Sequence, residues 1–241
     1  MTWRRAPYDR AAEEIVAYVK STYAPVGIVL AGSIVRGEAG PTSDFDVFVV
    51  HEEPWRVREQ KLFADVPAEI FVNPTAQVRR YFENEHDEGR PCTAHMFATG
   101  EVVMSAPVID ELVREARAWL AKPLDVSDAT LTQKRYAAVD TLDDARDISA
   151  TDPAAAQLLL ATVVQDVIAY AFWSRKLFQP RRKAAVLALA ALDPSAAQLV
   201  RDWQQAGDSR EALRLVEELA THVLGVNTFF AWTSARDPVA T

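Results

Sequence analysis

The stretch from Leu30 to Val50 constrains this chain more than any other, because it sets a tight turn and two carboxylates between two apolar runs. The first run, Val26 to Ala31, reads as a strand that ends on Gly32-Ser33. At such a strand-to-turn junction backbone N–H groups and a hydroxyl can converge on a phosphate. Ser33 to Gly37 reads as a short helical turn, and Gly37 and Gly40-Pro41 supply the bends. Asp44 and Asp46 then open the second run, Phe45 to Val50. Side chains of a strand alternate between its faces, so both carboxylates point to one side. Two negative groups held together need a counter-charge, and a divalent cation is the simplest one.

A third carboxylate follows. Val66 to Val72 reads as another strand, stopped by Asn73-Pro74, and Glu69 is the one acidic residue inside it. A charge there is costly unless it is paired or binds a metal. The alternative places Glu69 at a sheet edge with its side chain in water, since strand register is not set by pattern alone. Around these strands, Tyr8 to Tyr23 has the apolar spacing of an amphipathic helix, with Ala12, Ile15, Val16 and Val19 on one face. Pro54 to Ala64 reads as a charged helix with Pro in its first turn. Thr75 to Glu85, Thr93 to Ala98 and Pro107 to Ala121 read as helices, with a strand at Glu101 to Met104 after Gly100.

The residues Gly32-Ser33, Arg36-Gly37 and Ser43-Asp44-Phe45-Asp46 resemble the G-S-x-x-R-G…S-D-x-D signature of the polymerase-beta-like nucleotidyltransferases, in the branch of aminoglycoside, lincosamide and minimal nucleotidyltransferases. The segment closing in Val72-Asn73-Pro74, and Gly100 ahead of the last strand, are similar to that family as well. The resemblance implies an α+β architecture: an N-terminal mixed β-sheet domain flanked by helices over residues 1–124, then an all-α helical bundle over 125–241. It implies transfer of a nucleoside monophosphate, AMP from ATP, to a hydroxyl of a small molecule, with pyrophosphate leaving. Aminoglycoside and lincosamide antibiotics are among the acceptors the branch uses. Two Mg²⁺ ions would be held by Asp44, Asp46 and Glu69, the catalytic carboxylates. Gly32 and Ser33, helped by Arg36 and Ser43, would bind the triphosphate. Transfer of AMP to a protein, as in toxin–antitoxin pairs, and a non-catalytic nucleotide-binding module are the alternatives.

Lys122 to Asp128 combines Pro with turn formers and marks the domain boundary. Beyond it the sequence is helical throughout, over Asp128 to Ser149, Asp152 to Leu177, Arg181 to Leu192, Pro194 to Ala206, and Ser209 to Gly225 continuing toward Trp232. Asp152-Pro153 and Asp193-Pro194 are cap-plus-proline starts, Asp208-Ser209 offers a further cap, and the last few residues are expected to fray. Tyr136, Asp140, Asp143, Asp144 and Asp147 recur at helical spacing. Asp140 or Asp144 is a candidate general base on the acceptor side, against a solvated acidic face, and Lys183 in a basic helix start is a candidate phosphate contact.

A formal net charge of −8 disfavours a nucleic-acid backbone as partner and suits a cationic acceptor. Cys92 is the only cysteine, which excludes an internal disulfide and a cysteine-based zinc site and fits a reducing cytoplasm. The four histidines show no zinc spacing. Ala154 to Trp173 is the most apolar region, but Gln157, Gln165 and Asp166 interrupt it, so it reads as a buried helix and no membrane partner is expected. The partners expected are a nucleoside triphosphate and its acceptor, with homodimerisation left open.

Overall fold

Tyr8–Tyr23 forms helix α1, whose apolar stripe of Ala11, Ala12, Ile15 and Val19 is fully covered. It lies on one face of a five-stranded sheet in the computed structural model of the chain, which describes residues 3–234 and 236. The strands are β1 (Gly27–Ala31), β2 (Phe45–His51), β3 (Val57–Phe63), β4 (Val66–Pro74) and β5 (Glu101–Met104), in the order β3-β4-β2-β1-β5. β2 and β4 run parallel, and the other pairs are antiparallel. The sheet is therefore mixed.

Period-two alternation sends Phe45, Val47 and Val49 toward α1, and Phe48 and Val50 to the opposite face. That second face is covered by α3 (Thr75–Asp87), α4 (Cys92–Thr99) and α5 (Pro107–Ala121), which bury Val78, Phe82, Phe97, Ile109 and Leu112 against it. Each such side chain contributes roughly 1.5–3 kcal/mol relative to exposure. Covered on both faces, β2 is buried at every position except Asp46. A short helix, α2 (Gly32–Val35), follows β1 directly.

The structure corrects the helix expected over Pro54 to Ala64. Val57–Phe63 is an edge strand, paired antiparallel with β4 through a two-residue turn at Ala64-Asp65. Both turn residues have positive φ, 46° and 63°, the backbone of a type I′ hairpin. Arg58, Glu59, Gln60 and Lys61 are good helix formers, and Ala-Asp is not the usual Asn-Gly turn, so local propensity pointed the wrong way. Burial decides it: Phe63 joins the α1-side core, Glu59 accepts a 3.0 Å hydrogen bond from the Tyr18 hydroxyl, and Lys61 stands 5.0 Å from the Tyr18 ring. Arg58 and Gln60 alternate to the other face. The charges also blunt an edge that would otherwise invite another strand.

The chain divides into two compact units, Met1–Pro123 and Leu124–Thr241. The second is all-helical among its described residues: α6 (Asp128–Ile148), α7 (Pro153–Trp173), α8 (Ala185–Leu192), α9 (Pro194–Gln204) and α10 (Ser209–Leu224). Leu142, Leu160, Val163, Val167, Val200, Val216 and Leu219 form its core. By length and composition α7 could cross a bilayer, but Val163, Val167, Ala171 and Phe172 of this helix pack within that core. Asp152, Asp193 and Asp208 each cap a helix, accepting from the N–H groups of Ala155, Ala196 and Glu211 at 3.0, 3.0 and 2.8 Å.

α7, α8 and α10 are shorter than expected. α7 stops at Trp173, with Lys176 in the left-handed region at φ 57°. α10 ends at Leu224 on a left-handed Gly225 and does not continue toward Trp232, because a left-handed glycine terminates the hydrogen-bond ladder. Arg182–Ala184 forms a 3₁₀ turn ahead of α8. The fraying expected of the last few residues concerns 237–241, outside the described residues.

Asp193 does more than cap α9. Its carboxylate accepts from His222 Nε2 at 3.0 Å and lies 3.6 Å from Arg175 Nη2. The Ala196 N–H, then His222 and Arg175, hold it below the ordinary carboxylate value of 3.8. A carboxyl depressed on folding stabilises above its unfolded pKa and loses that contribution as pH falls through the folded value. Asp193→Ala is expected to cost about 1–2 kcal/mol at pH 7 and progressively less in acid, measured by urea unfolding across pH.

Candidate active site

β1 delivers Gly32 to the end of the sheet beside Asp46. Gly32 has φ +93°, and a Cβ there would stand 2.8 Å from Asp46 Oδ2 and 3.2 Å from the Asp44 carbonyl. Only glycine lets the backbone turn this way at this approach. One residue on, the Ser33 hydroxyl lies 2.7 Å from the Ser43 hydroxyl, which also accepts from the Gly40 N–H at 2.8 Å. These contacts tie the glycine-serine corner to the loop that carries Asp44. Arg36, the residue capping α2, pairs with Glu38 at 3.0 Å.

Register places the carboxylates. Asp46 of β2 stands opposite Ala31 on the β1 side and opposite Glu69 on the β4 side. β4 is an interior strand between β3 and β2, so the sheet-edge alternative for Glu69 falls away. Asp44, Asp46 and Glu69 each offer an oxygen within 4.8 Å of the others, and all three are partly open to solvent. Burial, then the negative charges of Asp44 and Glu69, push the Asp46 carboxyl up from 3.8 to about 6 against the opposing pull of Arg36 and Arg58. Three hard oxygen donors whose mutual repulsion Arg36 and Arg58 offset only in part suit a divalent cation such as Mg²⁺, whose charge opposes that repulsion.

Two residues of the site escaped the sequence reading. Arg58 donates to Glu69 Oε1 through its guanidinium, and Gln60 Nε2 donates to the same oxygen at 3.2 Å. Both come from β3, and a helical assignment of that segment hid them. The available signal was the alternation of Val57, Glu59, Lys61 and Phe63 against Arg58 and Gln60.

Along the same face, two residues past the carboxylates, Phe48 and Phe71 stack with centroids 5.9 Å apart and planes at 18°. They line a cavity of about 500 Å³ with Arg56, Arg58, Tyr81 and Met96. The acceptor-side candidates belong to the second unit. Asp140 and Asp144 are exposed and one turn apart on α6, while Asp143 is paired with Arg146. Lys183 is exposed in the 3₁₀ turn.

Residues 12–90 match the sequence model of a family described as "Nucleotidyltransferase domain", a span that contains Gly32, Ser33, Asp44, Asp46 and Glu69. No curated protein matches the sequence. Among solved structures the chain is similar to a nucleotidyltransferase-like protein from Exiguobacterium sibiricum 255-15, with TM-score 0.54 and 10% identity over 90% of this chain and 74% of that one. At that identity the likeness shows the fold. Together, the domain match and the acidic cluster support a nucleotidyl transfer activity.

Proposed function

We propose, from the premise that residues 12–90 match a nucleotidyltransferase domain, that this protein moves a nucleoside monophosphate, AMP from ATP, to a hydroxyl of a small molecule and releases pyrophosphate. One observation carries the reading: three carboxylates from the start of β2 and from β4 converge within 4.8 Å, beside a glycine-serine corner. Asp44, Asp46 and Glu69 would hold Mg²⁺, which when bound supplies charge neutralisation for the leaving pyrophosphate and acidifies the attacking hydroxyl.

The chain's own groups do the rest. The Gly32 and Ser33 N–H groups and the Ser33 hydroxyl hold the β- and γ-phosphates, with Arg36 and Ser43 beside them. Phosphoryl chemistry of this kind needs little covalent help from the protein, so positioning dominates. Glu69, fixed by Arg58 and Gln60, faces the side from which the acceptor approaches and takes the hydroxyl proton.

The test incubates the full chain with each α-labelled nucleoside triphosphate, Mg²⁺ and a panel of hydroxylated acceptors, following pyrophosphate and the label. Label on a small acceptor, lost with EDTA, is the expected outcome, with ATP the best donor. A protein that binds no triphosphate in a metal-dependent way by calorimetry would remove the basis of the proposal.

A further inference from the structure

We infer that the cavity flanking Glu69 is the acceptor site, and that it selects a hydroxylated molecule with a flat apolar body and one acidic group, not a polycation such as an aminoglycoside. The inference rests on the transfer reaction proposed above.

In-line displacement sets the direction. Pyrophosphate leaves toward the corner that holds it, Gly32-Ser33 at the end of β1, so the attacking oxygen must come from the opposite side of Asp46. Strand order puts Glu69 on that side, since β4 lies across β2 from β1. The cavity begins one side-chain step further along the same sheet face, over Phe48 and Phe71, which pair directly in the β2–β4 register. A hydroxyl at the end of the cavity where Arg58 lines it therefore lies toward Glu69, with which Arg58 pairs. Its oxygen forms the new bond to the α-phosphorus, the bond from that phosphorus to pyrophosphate breaks, and the hydroxyl proton passes through Glu69 to solvent.

The lining decides what fits. The stacked Phe48 and Phe71 rings offer an apolar floor, with Met96 alongside, suited to a planar group. Arg58 already serves Glu69 and sits 5.0 Å from the Phe71 ring. Arg56 is not spent on a carboxylate: the residue is exposed, its guanidinium donates to the Tyr81 hydroxyl at 2.6 Å, and among the described residues it forms no ion pair. The Tyr81 hydroxyl in turn reaches the buried Asn73 Oδ1 at 3.4 Å, which steadies the phenol ring beside Arg56. The one carboxylate in the lining, Glu85, is turned into hydrogen bonds from Thr93, at 2.6 Å from its N–H and 2.7 Å from its hydroxyl. The Glu85 oxygens are thus taken up by Thr93, and the charged group left to meet a ligand in the cavity is the Arg56 guanidinium, which favours an anion over an ammonium.

Three probes share a phenol ring and differ in the end group of a short side chain, anionic, neutral or cationic: 4-hydroxyphenylacetate, its neutral alcohol tyrosol, and tyramine. Calorimetry on the full chain is expected to rank them acid, alcohol, amine, with the acid about tenfold or more tighter than the amine, the worth of one charge-assisted hydrogen bond. Arg56→Gln should erase that preference, and Arg56→Lys, which keeps the charge, should restore part of it. Equal or reversed ranking, an unchanged preference in Arg56→Gln, or no binding of any probe overturns the selectivity. Competition of the acid with a non-hydrolysable ATP analogue overturns the acceptor assignment, since the cavity would then hold the nucleoside. MgATP titrated into the same protein keeps the two readings apart: loss of nucleotide binding with the acid preference intact defeats the transfer reaction and leaves the cavity's selectivity standing.

Discussion

Asp46→Asn is expected to lose nucleotidyl transfer by roughly a thousandfold or more while gaining stability in metal-free buffer. Both effects come from one cause. Asp46 sits between Asp44 and Glu69 on a strand otherwise buried, and its carboxyl rises from 3.8 to about 6 because burial and two like charges disfavour ionisation. A folded-state pKa above the unfolded one means that the folded chain holds the proton more tightly, so stability falls as pH rises between the two values. Above pH about 6 the full cost of the ionised carboxylate is present. A shift of this size corresponds to about 1–3 kcal/mol, the lower end applying to a group partly open to water. The amide removes the charge at nearly constant volume. Urea unfolding in EDTA should therefore show the variant ahead of the parent at pH 7.5 and level with it near pH 4. The same proton competes with a metal ion, so apparent Mg²⁺ affinity of the parent should drop roughly tenfold per pH unit below 6. A folded variant with near-parental turnover would contradict the role given to Asp46.

Gly100→Val is the second large effect, and it acts on the fold alone. The backbone at Gly100 is ordinary extended chain, φ −73° and ψ 167°, so conformational freedom is not the reason for glycine. Space is. A Cβ at this position would lie 2.4 Å from the Met96 carbonyl, 2.7 Å from Val29 Cγ1 and 2.8 Å from the Leu30 carbonyl. Two of these are backbone oxygens, one in α4 and one in β1, and no rotamer change moves them aside. The Gly100 N–H also closes α4 by donating to Met96 at 2.8 Å. Valine must separate α4 from the sheet, at a cost of more than ~3 kcal/mol. For a chain of this size that corresponds to about 6–12 °C in melting temperature. Gly40→Val is the matched control, since nothing stands within 4 Å of a Cβ added there. Should both variants melt with the parent, the close approach of α4 to β1 is wrong.

How much of this was legible beforehand follows the range of the interactions involved. Helix caps are local, and Asp152, Asp193 and Asp208 could be read directly because the side chain and the N–H it accepts from are three residues apart. α1, β5 and α5 were equally plain, since an amphipathic period or a glycine-bounded apolar run declares itself within a few turns. The edge strand was not legible. Val57–Phe63 carries helix-forming side chains, and only its neighbour β4, its hairpin at Ala64-Asp65 and the core position of Phe63 make it a strand.

The sequence by itself determined the strand–turn–strand layout that sets Gly32-Ser33 against Asp44 and Asp46, because a period of two and a positive-φ glycine are properties of adjacent residues. Only the tertiary structure decided that Glu69 lies opposite Asp46, that Arg58 and Gln60 hold it, that Asp46 ionises reluctantly, and that an arginine-lined cavity opens beside them. The physical reason is register: which residue of β4 faces which residue of β2 is settled by packing both sheet faces at once, and charge, hydrogen bonding and cavity shape all depend on that choice.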